Sequence, residues 1–241
     1  MIKLKNISVS VDQKPILENI SFNLKPSQIT ALMGPNGSGK SSIAYTLAGH
    51  PSYQITSGKI IFNKKDITNL SPDKRSDLGI FLANQAPIAI PGLNVKNFLW
   101  QLYKKHNSKN SITISEFRSL LDQEATNLDI KKELLDRHLN DGFSGGERKK
   151  MEILQMVISK PQFIILDEID SGLDVDALKI ISSRIKKLSV ESNLSILIIT
   201  HFAKILDYLK PDQVVILEKG KIKKIGDTKL VNQVETIGFN H

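Results

Sequence analysis

The run Gly34-Pro35-Asn36-Gly37-Ser38-Gly39-Lys40-Ser41 narrows what this chain can fold into more than any other stretch. Its pattern is a glycine, four residues, then Gly-Lys-Ser, and both flanks agree with it. The apolar residues 28–33 read as a buried strand, and residues 42–49 carry apolar side chains at helical spacing up to a glycine stop. A strand, a glycine-rich loop and a helix start in that order form the setting of a phosphate-binding loop. Gly34, Gly37 and Gly39 let the backbone approach a ligand closely, so that its N–H groups make an anion nest at a helix N-terminus. In such a loop Lys40 reaches the β- and γ-phosphates of a nucleoside triphosphate and the Ser41 hydroxyl ligates Mg²⁺.

Two acids downstream fit the same chemistry. Four apolar residues, Phe163-Ile164-Ile165-Leu166, lead into Asp167 and Glu168, the pattern of a buried parallel strand with carboxylates at its tip. Asp167 is placed to hold Mg²⁺ through water, and Glu168 to polarise an attacking water as general base. Residues 194–200 predict a further buried strand that ends at His201, on the side where open α/β sheets bind ligands. A strand over residues 79–83 runs into Gln85, which can reach Mg²⁺ or the attacking water; on position alone a surface turn glutamine is the better reading. Ser144, as N-cap before Gly145, Gly146 and Glu147, opens another helix suited to an anion. A tight acidic turn runs from Asp170 to Asp174, ahead of an amphipathic helix over 177–188.

The remaining chain frames these motifs. Residues 2–9 and 16–24 predict a small antiparallel sheet, residues 57–63 another strand, and residues 214–217 and 221–225 a closing hairpin. Ser8-Val9-Ser10-Val11 offers no aromatic platform for a base. From 87 to 158 the pattern turns helical, with helical spacing over 95–103 and 114–121 and a charged amphipathic stretch at 130–139. The expectation is a single domain in which 1–86 and 159–241 form an α/β core and 87–158 a strand-free helical insertion carrying the Ser144 motif.

The 241 residues are 40% hydrophobic and 24% charged, ordinary for a globular chain. There are no cysteines, which excludes disulfides and thiolate metal sites and fits a reducing cytosol. No segment approaches the ~20 apolar residues of a membrane span, so no membrane insertion is expected. The net charge of +8 raises nucleic-acid binding, but the lysines are scattered and lack interleaved aromatics, so none is expected.

In this order the motifs resemble the ATP-binding cassette (ABC) ATPases over nearly the full length. The resemblance rests on the loop at 34–41, Gln85, the Ser144–Glu147 signature, Asp167-Glu168, Asp174 and His201. The stretches Asp167-Glu168-Ile169-Asp170-Ser171-Gly172-Leu173-Asp174 and Gly142-Phe143-Ser144-Gly145-Gly146-Glu147 are similar to the SufC branch, which serves iron–sulfur cluster assembly. Ala86-Pro87 and the residues after His201 are similar to it too. Ser42 stands where the family often has threonine.

The resemblance implies a P-loop ABC fold: a mainly parallel sheet, an N-terminal antiparallel β subdomain and an inserted helical subdomain. It implies ATP and Mg²⁺ as cofactors, and a head-to-tail homodimer sandwiching two ATP molecules. In it each 34–41 loop faces the other copy's Ser144, Gly145 and Gly146, with His201 on the γ-phosphate. SufB- and SufD-like scaffold proteins are the implied partners and the cytoplasm the implied location. The alternatives are the ATP-binding subunit of a membrane transporter and a nucleotide-gated module on DNA or the ribosome. Helix and strand lengths further place Glu168 level with residues 148–150, so that without nucleotide it can rest on Lys149 or a neighbour.

Overall fold

The computed structural model describes residues 2–107, 112–200 and 203–239. Its elements, in chain order, are β1 (Ile2–Val11), β2 (Lys14–Leu24), β3 (Ile29–Met33), α1 (Lys40–Ala48), β4 (Gln54–Phe62), β5 (Lys65–Asp66), α2 (Pro72–Asp77), β6 (Ile80–Ala83), β7 (Ile90–Asn94), α3 (Val95–His106), α4 (Ile114–Asn127), a 3-10 turn (Lys132–Asp136), β8 (His138–Leu139), α5 (Gly145–Ser159), β9 (Phe163–Asp167), α6 (Val175–Glu191), β10 (Ser195–Ile199), α7 (Ala203–Leu209), β11 (Gln213–Glu218), β12 (Lys221–Gly226) and α8 (Lys229–Ile237).

The central sheet has the order β12-β11-β3-β10-β9-β6, parallel throughout except for the β12 edge. Its middle strands are buried along their whole length, as a parallel sheet covered on both faces requires. Successive side chains point to opposite faces. Met33, Leu166, Ile198 and Ile216 therefore pack under the helices α3, α4 and α5. Leu32, Ile165, Ile199 and Val215 meet α1 and the antiparallel sheet β2-β1-β4-β5 on the other face.

Register then sets the functional geometry. Ile199 of β10 lies opposite Leu32 of β3 and opposite Asp167 of β9, so the acid comes level with the end of the strand that feeds the glycine loop. Both sit at the carboxyl edge of the parallel strands, where a crevice opens in sheets of this kind.

The region 87–158 is not strand-free. Strand β7 pairs antiparallel with β8, Ile90 opposite Leu139 and Asn94 opposite His138. The amphipathic 130–139 stretch is a 3-10 turn followed by β8, not a helix. Pro91 and Gly92 inside β7 hide it from a reading of local pattern, since both are poor strand formers, and its partner lies more than 40 residues away. The helical spacing did identify α3 and α4, which begin at an Asn94 N-cap and at a Thr113–Glu116 capping box. Helix α2, with Pro72 in its first turn, and the terminal α8 fall in stretches that carried no helical expectation.

Candidate active site: a triphosphate cleft

The chain leaves β3 at Gly34 and closes a tight loop before α1 starts at Lys40. A Cβ on Gly34 would stand 2.2 Å from the Leu217 carbonyl oxygen and 2.8 Å from Ser38 Oγ, so only glycine fits where the loop passes over β11. Gly39, the N-cap of α1, is left-handed at φ 101°. The cleft beside this loop has a volume of about 380 Å³ and is lined by Ile16, Asn36, Gly37, Gly39, Lys40, Ser41, Ser42, Gln85 and Glu168.

Lys40 is buried, and its ammonium donates to the carbonyls of Gly34 at 2.8 Å and Pro35 at 3.0 Å. Burial lowers its pKa, against the opposing pull of Glu168 and Asp167. The Ser41 hydroxyl donates to Asp167 Oδ1 at 3.3 Å. Asp167 is 1% exposed, and burial pushes its pKa up to about 6, with the Ser41 hydrogen bond acting against the shift and the Glu168 charge adding to it. A half-buried hydroxyl on a buried carboxylate, next to a lysine, matches the oxygen-rich donor set of Mg²⁺. The buried Ser38 hydroxyl has no hydrogen-bond partner among the described residues. The loop as it stands therefore fits a phosphate chain and its magnesium ion, which Ser41, Asp167 and Gln85 would hold.

Glu168 follows β9 in a left-handed conformation, φ 48°, and is half-buried. Its carboxylate accepts from Gln85 Nε2 at 2.7 Å. The expectation that Glu168 rests on Lys149 needs correcting at the atomic level. Lys149 Nζ bonds the main-chain oxygens of Glu168, at 3.1 Å, and Ser171, while the carboxylate itself is held by Gln85. The left-handed turn separates the two: it sends the side chain toward the cleft and leaves the carbonyl facing α5. Gln85, though exposed, thus lines the cleft and bonds its glutamate.

The sequence motifs do not all converge in one chain. Ser144, Gly145, Gly146, Glu147 and Asp174 are absent from the cleft lining. Ser144 and Glu147 close a capping box, Glu147 N–H donating to Ser144 Oγ at 3.3 Å and Ser144 N–H to Glu147 Oε2 at 2.9 Å, which lowers the Glu147 pKa. Asp174 caps α6, accepting from the Ala177 N–H at 2.7 Å. His201 lies outside the described residues.

Two participants were not read from the sequence. Ile16, on β2, supplies the apolar wall of the cleft; none of residues 8–11 does. Glu152, on α5, is 6% exposed and accepts from the Asn84 N–H at 2.9 Å through Oε1, while Oε2 has no partner among the described residues. Burial pushes its pKa up to about 8, the Asn84 bond and the Lys149 charge opposing. An acid in the middle of the apolar run of α5 was a visible signal for it. Ile16 left none, because hairpin geometry alone brings it there.

A glycine loop on β3, a serine–aspartate pair and a strand-end glutamate beside one cleft define a P-loop nucleoside triphosphatase. Comparison with known proteins narrows the class. The ABC transporter family model matches residues 17–171. The chain is 42% identical over 242 residues to the probable ATP-dependent transporter SufC of Escherichia coli K12, covering 99% of this chain and 97% of that one. It is likewise 42% identical over 244 residues to the probable ATP-dependent transporter ycf16 of Antithamnion sp., covering 100% and 97%. The fold is shared with the dimeric post-hydrolysis structure of the ATP-binding cassette MJ0796 bound to ADP and Pi, with a TM-score of 0.79, 21% identity, and 94% and 98% of the two chains covered. A nucleotide-free cassette from an ABC transporter superposes with a TM-score of 0.77 at 24% identity, covering 98% and 94%. The chain belongs to the ABC ATPases, of the SufC/ycf16 type: an ATP hydrolase that uses ATP and Mg²⁺. No helix among the described residues is long and apolar enough to cross a membrane.

Proposed function

We propose that this chain is the cytoplasmic ATPase of a SufB–SufD-like scaffold in iron–sulfur cluster assembly, working as an ATP-driven head-to-tail homodimer. The dimer rests on one observation: the capped helix start at Ser144-Gly145-Gly146 stands apart from the cleft of its own chain. A helix N-terminus with two glycines is an anion site in search of an anion, and the cleft of a second copy supplies one. The scaffold role is supported by the full-length likeness to SufC.

In this reading the loop N–H groups of 34–41 receive the triphosphate, and the Lys40 ammonium exchanges the Gly34 and Pro35 carbonyls for the β- and γ-phosphate oxygens. Ser41, Asp167 and Gln85 would hold Mg²⁺, which when bound offsets phosphate charge. Ile16 gives the base an apolar surface without aromatic stacking, so discrimination among bases is modest. Glu168, oriented by the Gln85 amide, accepts the proton of the attacking water. His201 hydrogen-bonds the γ-phosphate, and the partner copy's Ser144, Gly145 and Gly146 cap it from the far side, with Glu147 holding that serine in its capping box. Asp174 fixes the turn at the start of α6 on the same face. Cleavage removes the charge that binds the halves, and the sandwich opens. Residues 87–158 act as the lobe that delivers this motion. The motion passes to the scaffold through the Gln85 loop and the lobe around Ile88–Trp100, a reading supported by Ile88 being 79% exposed.

The test is the Glu168→Gln chain with MgATP. We expect hydrolysis to fall by about 10²–10⁴-fold, the contribution of a general base. We also expect the mass in light scattering to double, and the trapped dimer to retain a SufB–SufD-like scaffold in pulldown. A species that stays monomeric with MgATP, with or without scaffold, overturns the dimer. Recovery with an integral membrane partner instead assigns the chain to a transporter.

A further inference from the structure

Helix α5 begins at the Ser144 cap and runs about 22 Å at 1.5 Å per residue. Lys149 and Glu152 are three residues apart, hence neighbours on one face, and both are buried, at 7% and 6% exposure. Each bonds main chain rather than side chain. Lys149 Nζ bonds the carbonyls of Glu168 and Ser171, on the turn after β9. Glu152 Oε1 bonds the N–H of Asn84, the residue before Gln85. Between these two anchored segments stands the 2.7 Å hydrogen bond from Gln85 to Glu168.

We propose that Lys149 and Glu152 are positioning residues: a two-point bracket by which the signature helix sets the placement of Gln85 against Glu168. The proposal rests on the hydrolysis reading above and adds to it where the geometry is controlled. A helix is stiff, so both anchors move with it as one piece. Whatever meets the Ser144 end of α5 shifts the glutamine segment and the glutamate turn together. A displacement at the signature end is then carried to the chain's own hydrolytic pair, which the bracket holds at 2.7 Å here. A buried ammonium is costly unless hydrogen-bonded, and Lys149 meets that cost on main-chain carbonyls of the glutamate turn, while Glu152 Oε1 takes the Asn84 N–H and its Oε2 has no partner among the described residues.

The experiment uses the full chain with MgATP and compares four variants. Glu152→Gln keeps an acceptor for the Asn84 N–H, and Glu152→Met keeps the volume without it. Lys149→Met keeps the stem and loses the donors; the fourth variant is the double Met form. We expect Glu152→Met and Lys149→Met each to lower kcat about tenfold or more, with KM for MgATP within about twofold of the parent. Glu152→Gln should restore kcat to within about threefold. The double variant should lose less than the product of the two single losses, because both act on one bracket. If Glu152→Met does not fold by circular dichroism, Lys149→Met decides alone. The proposal is overturned if kcat is unchanged in the Met variants, if KM rises in step with the loss, or if Glu152→Gln is as slow as Glu152→Met. A parent chain that binds MgATP but never turns it over removes the hydrolysis reading, and the bracket with it.

Discussion

At the scale of single residues, the phosphate loop is built by contact with a strand near the other end of the chain. Gly34 passes over the Leu217 carbonyl with no room for a methyl group. Gly34→Ala is expected to destabilise the fold by about 1–3 kcal/mol, the range for forcing extra atoms into a packed site. It should also weaken MgATP binding by at least about tenfold; urea unfolding and nucleotide titration measure the two. The glycines, Lys40, Ser41, Asp167 and Glu168 were all legible in the sequence. Their residue types follow from phosphate and magnesium chemistry, and each set keeps its spacing within its own short stretch, 34–41 or 163–168. Gln85 was ambiguous, since a polar residue after a strand looks the same whether it faces solvent or a carboxylate. The main-chain partners of Lys149 could not be read at all, because they depend on the left-handed turn at Glu168.

At the scale of elements, the inserted region is tied to the core by a buried ion pair. Arg184 of α6 grips Glu124 of α4 through two bonds of 2.9 and 2.7 Å, with side-chain exposures of 9% and 10%. Removing one partner leaves a buried charge uncompensated, a loss of about 3–5 kcal/mol. Arg184→Met should lower the urea midpoint accordingly, and adding Glu124→Met should recover most of the loss, since a fully apolar contact there carries no desolvation penalty. A midpoint unchanged in Arg184→Met would show that α4 and α6 are held by their apolar contacts alone. Helices α3, α4 and α6 were legible from periodicity, because each buries one stripe, and α5, buried nearly all round over 149–159, was legible from its Ser144 cap and apolar run. The β7–β8 pair was not: its two short strands pair across more than 40 residues, which no local pattern records.

At the scale of the whole molecule, the fold class and the order of the motifs along the chain were legible. The sheet order β12-β11-β3-β10-β9-β6 was not spelled out by any local pattern. It reflects which apolar faces two separate cores demand, one under the helices and one under the antiparallel sheet. The strand that feeds the phosphate loop has β10 on one side and β11 on the other, both made more than 160 residues later. During translation the glycine loop is therefore written early and walled in late. Chains halted on the ribosome at residue 190 should retain no labelled ATP, whereas chains released beyond residue 226 should retain it. On this prediction the growing polypeptide cannot seize nucleotide until β10 and β11 have closed on either side of β3.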